Sequence, residues 1–463
     1  MIKNQRFIGT CEDYTYDGLG IVKNDAFCVF VKDMVKGETG EIVVTAVRKG
    51  YAYGRLLNIL KPSSERVEPY CHVSKPCGGC QLQHMSYAEQ LRMKHDHVEQ
   101  TIRHIGKCNC EVLPTLPCAK TTGYRNKAMM PVRMDRDGHL QIGFYRYNSH
   151  DIIPFENCML QSEAANSLIN SVRRILPDYS FARNVRHLMI RDFDKTGEMM
   201  LVLVTDTEKA EGIGKFAREI VKENPRVVSL IQNINSADTN VVLGKKEILV
   251  YGEPFIQDIL CGLRINISAQ SFYQVNRVQT EVLYAKALEL ADLKKSDTLL
   301  DLYCGAGTIG LTASNRVSKV IGVEIVPEAI ENARENASMN DITNVEFICG
   351  DAKKVAAELS KEQKPDVIIV DPPRKGCDES TLDSIVKMGP EKLVYVSCNP
   401  STLARDIKYL ENYYTPSVIQ PVDMFPHTAH VETVVLLWRK AEQADRHIVV
   451  NYETQGRHMK KNK

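Results

Sequence analysis

The stretch DTLLDLYCGAGTIGLTA, residues 297–313, decides the fold of the C-terminal part of the chain. A short apolar run leads into a glycine-rich turn, and a second apolar segment follows. Four further segments repeat the order of apolar run and then polar or helical segment: KVIGVEIVPEAIENAREN, VEFICGDAKKVAAEL, DVIIVDPPRKG and KLVYVSCNPSTLARD. This alternation predicts a doubly wound α/β domain with a parallel sheet over residues 266–445.

Doubly wound sheets bind ligands beyond the carboxyl ends of their strands, and the informative side chains fall at those ends. They are Tyr303, Gly305, Glu324, Asp351, Asp371 and Cys398. The glycine-rich turn lacks the full spacing of dinucleotide-binding loops. Glu324, however, can accept hydrogen bonds from both hydroxyls of a ribose, and Asp351 is suited to an adenine amino group. With no lysine-containing phosphate loop here, we predict S-adenosylmethionine (SAM) as the ligand. The alternative is an acid-capped strand end without a ligand.

Cys398 lies where an apolar run meets Asn399 and Pro400, a pair typical of a helix cap and first turn. A lone cysteine is commonly a small buried hydrophobe. At a helix N-terminus it can instead be a thiolate, because the helix dipole lowers a thiol pKa from its usual value of about 8.5. We therefore treat Cys398 as a candidate nucleophile.

The bulk composition is that of a globular protein of about three domains. The chain has 463 residues, 43% hydrophobic and 25% charged, with a formal net charge of +1. This charge does not indicate a polyanionic partner, so any nucleic-acid surface would be local. The start of the chain has no apolar core of a secretory signal, and no apolar run approaches the ~20 residues of a membrane helix. We expect a cytoplasmic protein without membrane contact, and cysteines that do not form disulfides.

The N-terminal residues 1–60 predict a small β-barrel of the OB type, because short strands alternate with glycine-containing turns. Near its end, TAVRKGYAYGRLL interleaves cations with Tyr51 and Tyr53, a pattern for RNA contact or for a solvated edge strand. Residues 61–265 predict an α+β central domain with a helix over YAEQLRMKHDHVEQTIRHI and a hairpin around Asp137 and Gly138. Residues 446–463 predict a basic, disordered tail.

Four motifs in order, DLYCGAGTIGL, DPPRKG, SCNPSTLARD and FPHTAHVETVVLL, resemble those of the RNA uracil-C5 methyltransferases. The resemblance covers the whole chain. It is greatest to the bacterial 23S rRNA 5-methyluridine methyltransferases of the RumA, RlmD and RlmCD type. It implies that the barrel is a TRAM domain, that 23S rRNA is the partner, and that the protein carries an iron–sulfur cluster.

The same resemblance implies roles for individual residues. Cys398 would add to C6 of uracil, and Glu432 would be the general base that removes the C5 proton. Gln274 would contact SAM or the substrate, and Tyr303 and Gly305 would contact SAM. Asp371 would line the SAM and uracil site, and Phe272 and Arg374 would contact the RNA substrate.

A cysteine cluster in CHVSKPCGGCQLQH places Cys71, Cys77 and Cys80 within ten residues. Cys158 is the best fourth ligand and matches the cluster pattern of the resembling family. Zinc sites usually show two close pairs, whereas thiolates at this spacing suit a [4Fe-4S] cluster. Zinc and free thiols are the alternatives. Because the cysteines are far from the SAM motifs in sequence, we expect a structural or RNA-orienting role.

Three rival functions remain. A cytosine-C5 methyltransferase would carry a Pro-Cys motif at the fourth strand, but here Cys377 is displaced from the prolines by Arg374. A transfer RNA uridine methyltransferase typically lacks the barrel and the cluster. A non-catalytic RNA-binding protein would not need Cys398, Glu432 and Asp371 together. The sequence therefore predicts a monomeric enzyme that methylates C5 of uridine in 23S rRNA through a covalent cysteine–C6 adduct.

Overall fold

The computed structural model describes residues 1–25, 27–135, 137–362 and 364–441. The predicted tail at 446–463 lies outside the described residues. Within the described part of the chain, no helix is both long enough and apolar enough to cross a bilayer.

The N-terminal region is a closed five-stranded barrel, as predicted. Its strands are β1 (Arg6–Tyr14), β2 (Gly20–Asn24), β3 (Phe27–Lys32), β4 (Thr39–Arg48) and β5 (Tyr51–Lys61). They pair in the order β1-β2-β3-β5-β4. Alternate side chains such as Val22, Val29 and Ile42 are fully buried in its interior, which is the period-two pattern of a strand with one face in a core.

The central region contains a seven-stranded sheet and three helices. The strands are β6 (Lys127–Met134), β7 (Leu140–Tyr145), β8 (Ile152–Pro154), β9 (Val185–Asp192), β10 (Met199–Thr205), β11 (Val227–Ile234) and β12 (Lys246–Gly252). The α-helices are α1 (Tyr87–His104), α2 (Glu163–Ile175) and α3 (Ile213–Glu223), and short 3-10 helices span Leu176–Asp178 and Ser180–Asn184. The sheet order is β12-β11-β10-β9-β6-β7-β8. The predicted helix and the hairpin at Gly138 (φ +84°) are both present.

A hairpin of β13 (Phe255–Leu260) and β14 (Leu263–Ser268) leads into the C-terminal domain. Its helices are α4 (Arg277–Ala291), α5 (Thr308–Ala313), α6 (Pro327–Met339), α7 (Ala352–Glu362), α8 (Glu379–Met388) and α9 (Pro400–Leu410), with a 3-10 turn at Ser314–Arg316. Its strands are β15 (Thr298–Leu302), β16 (Lys319–Glu324), β17 (Val345–Cys349), β18 (Val367–Val370), β19 (Lys392–Ser397), β20 (Tyr414–Val422) and β21 (Glu432–Arg439).

These strands form one sheet in the order β17-β16-β15-β18-β19-β21-β20. The first five are parallel, as predicted, whereas β21 and β20 are antiparallel additions. The central strands β18 and β19 are buried along their whole length, as expected for a sheet covered on both faces. The strand order reverses between β15 and β18, so a crevice for a ligand is expected above their carboxyl ends. The predicted domain boundaries at 60 and 265 stay predictions.

Two cysteines depart from the expectation that no disulfide forms. The sulfurs of Cys108 and Cys110 are bonded to each other. The other twelve cysteines are free.

Candidate active site

A cleft of about 1160 Å³ opens above the carboxyl ends of the parallel strands and extends to the central sheet. It is larger than the ~300–1,000 Å³ of ordinary small-molecule pockets, so it has room for more than one ligand. Every site residue that the sequence predicts lines this one cleft. These residues are Cys71, Cys77, Cys80, Cys158, Phe272, Gln274, Tyr303, Gly305, Glu324, Asp351, Asp371, Arg374, Cys398 and Glu432.

The predicted nucleophile and base lie at the same end of two adjacent antiparallel strands. Cys398 directly follows the last residue of β19, Glu432 is the first residue of β21, and the register of these strands ends with Ser397 opposite Thr433. Glu432 lies close enough to Cys398 to raise the pKa of the thiol. On the other side of β19, Asp371 directly follows the last residue of β18. One thiol and two carboxyl groups therefore share the same edge of the sheet.

Burial controls the ionisation of these three groups. Glu432 is only 3% exposed, and removal from water raises its pKa to about 8, with a further rise from the neighbouring Asp371. Burial also raises the pKa of Asp371 to about 7. For Cys398, burial and then the two carboxyl groups raise the pKa to about 11, against a lowering by Arg374. The expectation of a depressed thiol pKa is wrong, because desolvation and two nearby acids outweigh the stabilisation expected from the helix N-terminus.

The junction that presents Cys398 is held by a second loop. Asn399 caps α9 by accepting a hydrogen bond from the Ser401 amide (3.1 Å). Its side-chain amide donates to the Arg374 carbonyl (3.0 Å), and the Thr402 hydroxyl donates to the same oxygen (3.2 Å). The loop that carries Asp371 and Arg374 is thus fixed to the helix that follows the nucleophile.

The end of the cleft where the sequence predicts the adenosine is built around Glu324. One carboxylate oxygen accepts from the amides of Ile325 (2.8 Å) and Val326 (3.0 Å), and the other accepts from the Gly305 amide (3.2 Å). A side chain at Gly305 would meet no atom within 4 Å, and its φ of +55° favours glycine. The backbone at Gly305 therefore lies open to a ligand that Glu324 can hold through its ribose.

Three further predicted residues border this end and the mouth of the cleft. Asp351 begins the turn into α7 and accepts from the Lys353 amide (3.0 Å). The Gln274 carbonyl accepts from the Asn126 side chain (2.9 Å), which joins this segment to the central domain. Phe272 is 73% exposed, so its ring is free to stack on a base at the mouth.

The four predicted cysteine ligands form one group in the same cleft, although they are remote from the SAM motifs in sequence. The pKa of the Cys80 thiol rises to about 12 through burial, with further rises from Cys158, Cys77 and Cys71. All four thiols line the cleft, and thiolates are donors that both an iron–sulfur cluster and a zinc ion take.

Hydrogen bonds connect the cysteine segment to the segment before the predicted base. The amides of Gln81 and Leu82, directly after Cys80, both donate to the His427 carbonyl (3.0 Å each). The His427 amide donates in turn to Gln90 of α1 (2.8 Å). The approach to Glu432 is therefore anchored to the cysteine segment.

Sequence reasoning missed other cleft residues, among them Arg125, Lys127, Phe425, Thr428 and His430. Three of these carried a usable signal. Phe425, Thr428 and His430 lie inside the motif that contains Glu432. By contrast, Arg125 and Lys127 lie in a strand-like segment with no motif, and only the tertiary fold brings them to the cleft.

The comparisons with known proteins agree with this geometry. Residues 86–440 match the family model described as tRNA (uracil-5-)-methyltransferase. A relative from Bacillus cereus with the printed name "Uncharacterized RNA methyltransferase" is 45% identical over 448 residues, which covers 94% of this chain and 97% of the relative. A relative from Clostridium tetani with the same printed name is 45% identical over 430 residues, which covers 91% of this chain and 93% of the relative.

A solved structure extends the likeness to the fold. The tRNA (uracil-54, C5)-methyltransferase of Pyrococcus abyssi, in complex with S-adenosyl-L-homocysteine, superposes with a TM-score of 0.75 at 27% identity. The match covers 93% of this chain and 99% of that one. The chain belongs to the RNA uracil-C5 methyltransferase family, a family of SAM-dependent enzymes.

Proposed function

We propose that this protein methylates C5 of a uridine in 23S rRNA through a covalent adduct between Cys398 and C6 of the base. The observation that supports the proposal is that Cys398, Glu432 and Asp371 line the same cleft and lie close enough for the two carboxyl groups to raise the pKa of the thiol. A nucleophile and a base on one side of a cofactor cleft are what uracil C5 methylation needs.

The cofactor end of the cleft fits SAM. Glu324, Gly305 and Asp351 would hold its adenosine, and Gln274 and Tyr303 would line its remaining contacts. SAM supplies an electrophilic methyl group on a sulfonium centre. A cleft rich in carboxyl groups suits that positive charge.

Cys398 must lose its proton to act, because its pKa lies at about 11. We propose that the thiol proton passes to a neighbouring carboxylate, Asp371 or Glu432, as the bond from sulfur to C6 forms. The electron pair displaced from the C5–C6 double bond makes C5 nucleophilic. C5 would take the methyl group from the sulfonium as the carbon–sulfur bond breaks, and the bonding pair would stay on the sulfur of S-adenosylhomocysteine. The proton is released to solvent before the carboxylate is needed again.

Glu432 then completes the reaction on the methylated base. Its carboxylate takes the proton from C5, and the C5–C6 double bond re-forms as Cys398 leaves as a thiolate. Because Glu432 has a pKa of about 8, it can hold this proton at neutral pH until solvent takes it up. The net products are 5-methyluridine, S-adenosylhomocysteine and one proton.

The RNA class is the open part of the proposal. The barrel does not exclude a tRNA enzyme, since the match with a tRNA methyltransferase covers 93% of this chain. The resemblance of four motifs to 23S rRNA enzymes still favours ribosomal RNA. Transfer RNA is the second candidate, because the solved relative acts on uracil 54 of tRNA. In either case Phe272 and Arg374 would contact the target nucleotide.

We also propose a [4Fe-4S] cluster on Cys71, Cys77, Cys80 and Cys158, with zinc as the alternative. The hydrogen bonds from Gln81 and Leu82 to the segment before Glu432 support a structural role for it. A cytoplasmic monomer is the proposed form.

The test is methyl transfer from labelled SAM to protein-free 23S rRNA and, in parallel, to unmodified tRNA, with 5-methyluridine mapped by mass spectrometry. We expect label at one or two uridines of 23S rRNA and none with the Cys398→Ala variant. Label on tRNA alone would keep the chemistry and replace the substrate. Methylation retained by Cys398→Ala would refute the nucleophile, and no label on either RNA would favour a non-catalytic RNA-binding protein.

A further inference from the structure

The wall of the cleft opposite the methyltransferase sheet carries two cations for which the proposed chemistry has no use. Arg125 immediately precedes β6, and Lys127 is its first residue. With Met129 they alternate along the chain and all three line the cleft, whereas Asn126 and Ala128 between them are buried and do not line it. The alternation of the strand therefore presents both charges to the cleft.

Neither cation is neutralised by the protein. Within the described residues, neither forms an ion pair with a carboxylate. Burial lowers the pKa of Lys127 to about 7, and its charged neighbours Arg191 and Arg125 lower it further. Arg191 itself is fully buried, and two of its guanidinium nitrogens have no hydrogen-bond partner. Unpaired buried charge is costly, so Arg125 and Lys127 in the cleft wall, with the buried Arg191 paired to Lys127 across β6 and β9, indicate a place for an anion.

The positions of Arg125, Lys127 and Arg191 indicate on which side of the cleft an anion would bind. Arg191 donates to the carbonyls of Ala269 (3.3 Å) and Ser271, directly before the exposed Phe272. At the other end, Arg125 lies close enough to His430 to lower the pKa of that imidazole. The cations thus run from the exposed aromatic ring towards the segment of the base, and the adenosine end at Glu324 is not part of this path.

We propose that Lys127, together with Arg125, binds the backbone phosphate beside the target nucleotide and so fixes the RNA strand in the cleft. The inference rests on the proposed RNA substrate. An aromatic ring for a base next to cations for the backbone is the usual arrangement for single-stranded RNA. A phosphate at Lys127 would also supply the negative charge that this wall of the cleft lacks.

The test measures binding without turnover, so that it does not depend on the methylation assay. The full chain carries Cys398→Ala and is saturated with S-adenosylhomocysteine. The probe is fluorescein-labelled decauridylate, compared with a decauridylate whose phosphates are uncharged methylphosphonates. We expect Lys127→Met to weaken binding of the charged probe roughly 5- to 20-fold and to lower the slope of log K against log salt by about 0.7. Binding of the methylphosphonate probe should change less than twofold.

Two variants control for charge and position. Lys127→Arg keeps a cation and should retain binding. Arg133→Gln removes an exposed cation farther along β6, outside the cleft, and should change binding less than twofold. Lys127→Met should also melt no lower than the parent protein, because it removes an unpaired buried charge; a merely structural lysine would not combine higher stability with weaker RNA binding.

Three outcomes would overturn the proposal. Weaker binding of S-adenosylhomocysteine with unchanged RNA binding would assign Lys127 to the cofactor carboxylate. Loss of bound iron in Lys127→Met would assign the charge to the cysteine thiolates. Equal loss of affinity for the charged and the methylphosphonate probes would show that no phosphate is contacted.

Discussion

Replacement of Glu432 by glutamine should stabilise the protein while it impairs catalysis. Glu432 is 3% exposed, and its pKa is raised from 4.5 to about 8 in the folded protein. A buried carboxyl group with a raised pKa does not lower the free energy of unfolding below pH 4.5, where the group is protonated in both the folded and the unfolded state. As pH rises from 4.5 towards 8, the unfolded state ionises first and the folded state loses stability relative to it.

The size of the effect follows from this difference. Each tenfold change in proton affinity is worth about 1.4 kcal/mol, so the cost of burying Glu432 reaches about 3 kcal/mol at pH 7 and about 5 kcal/mol above pH 9. Glutamine has nearly the same shape and no charge. Glu432→Gln should therefore unfold with a free energy about 3 kcal/mol higher at pH 7 and equal to wild type near pH 4.

The assay is urea denaturation of both proteins at pH 4.5, 7 and 9, followed by tryptophan fluorescence and circular dichroism. Glu335→Gln, which removes an exposed acid on α6, is the matched control and should stay within about 0.5 kcal/mol at every pH. A Glu432→Gln protein that is no more stable than wild type at pH 9, or whose advantage does not vary with pH, would refute the reasoning.

Three other predictions concern pH, packing and a buried ion pair. The value of kcat should rise about tenfold from pH 7 to pH 9 as Glu432, whose pKa is about 8, ionises to the form that removes the C5 proton, and a flat profile would contradict its role. Gly376→Ala should lower the melting temperature more than Gly138→Ala does. Both positions have a positive φ, but the added Cβ would lie 2.6 Å from Arg405 at position 376 and would meet no atom within 4 Å at position 138. Lys94→Met leaves the buried Asp423 without its cation and should lower the free energy of unfolding by about 3–5 kcal/mol. Adding Asp423→Asn should restore most of this loss, and a double variant as unstable as the single one would contradict the charge argument.

The sequence predicted best what local pattern controls. The apolar run, Asn399 and Pro400 predicted the strand-to-helix junction at Cys398, and the structure ends β19 at Ser397 and begins α9 at Pro400. The ends of successive parallel strands meet at one edge of a sheet, so Glu324 and Asp371 could be placed in the same cleft as Cys398. Their chemical roles stay proposals.

Long-range packing accounts for what the sequence did not predict. The thiol pKa of Cys398 depends on Glu432 and Asp371, which come from two other strands, and on burial that no local pattern reports. The cysteine segment is distant in sequence from the SAM motifs, yet the fold brings both to one cleft through hydrogen bonds to His427. Lys127 is likewise far in sequence from the SAM motifs, and it lines the cleft only because the fold brings β6 to it.

The covalent role of Cys398 is the central claim, and Glu432→Gln offers the most direct measurement of it. Without a base to remove the C5 proton, the methylated adduct cannot eliminate. Incubation of this variant with SAM and the RNA that wild type methylates should yield a protein–RNA species that survives denaturation. Peptide mass spectrometry should find a methylated uridine attached to Cys398. No covalent species, together with methylation by Cys398→Ala, would contradict the account.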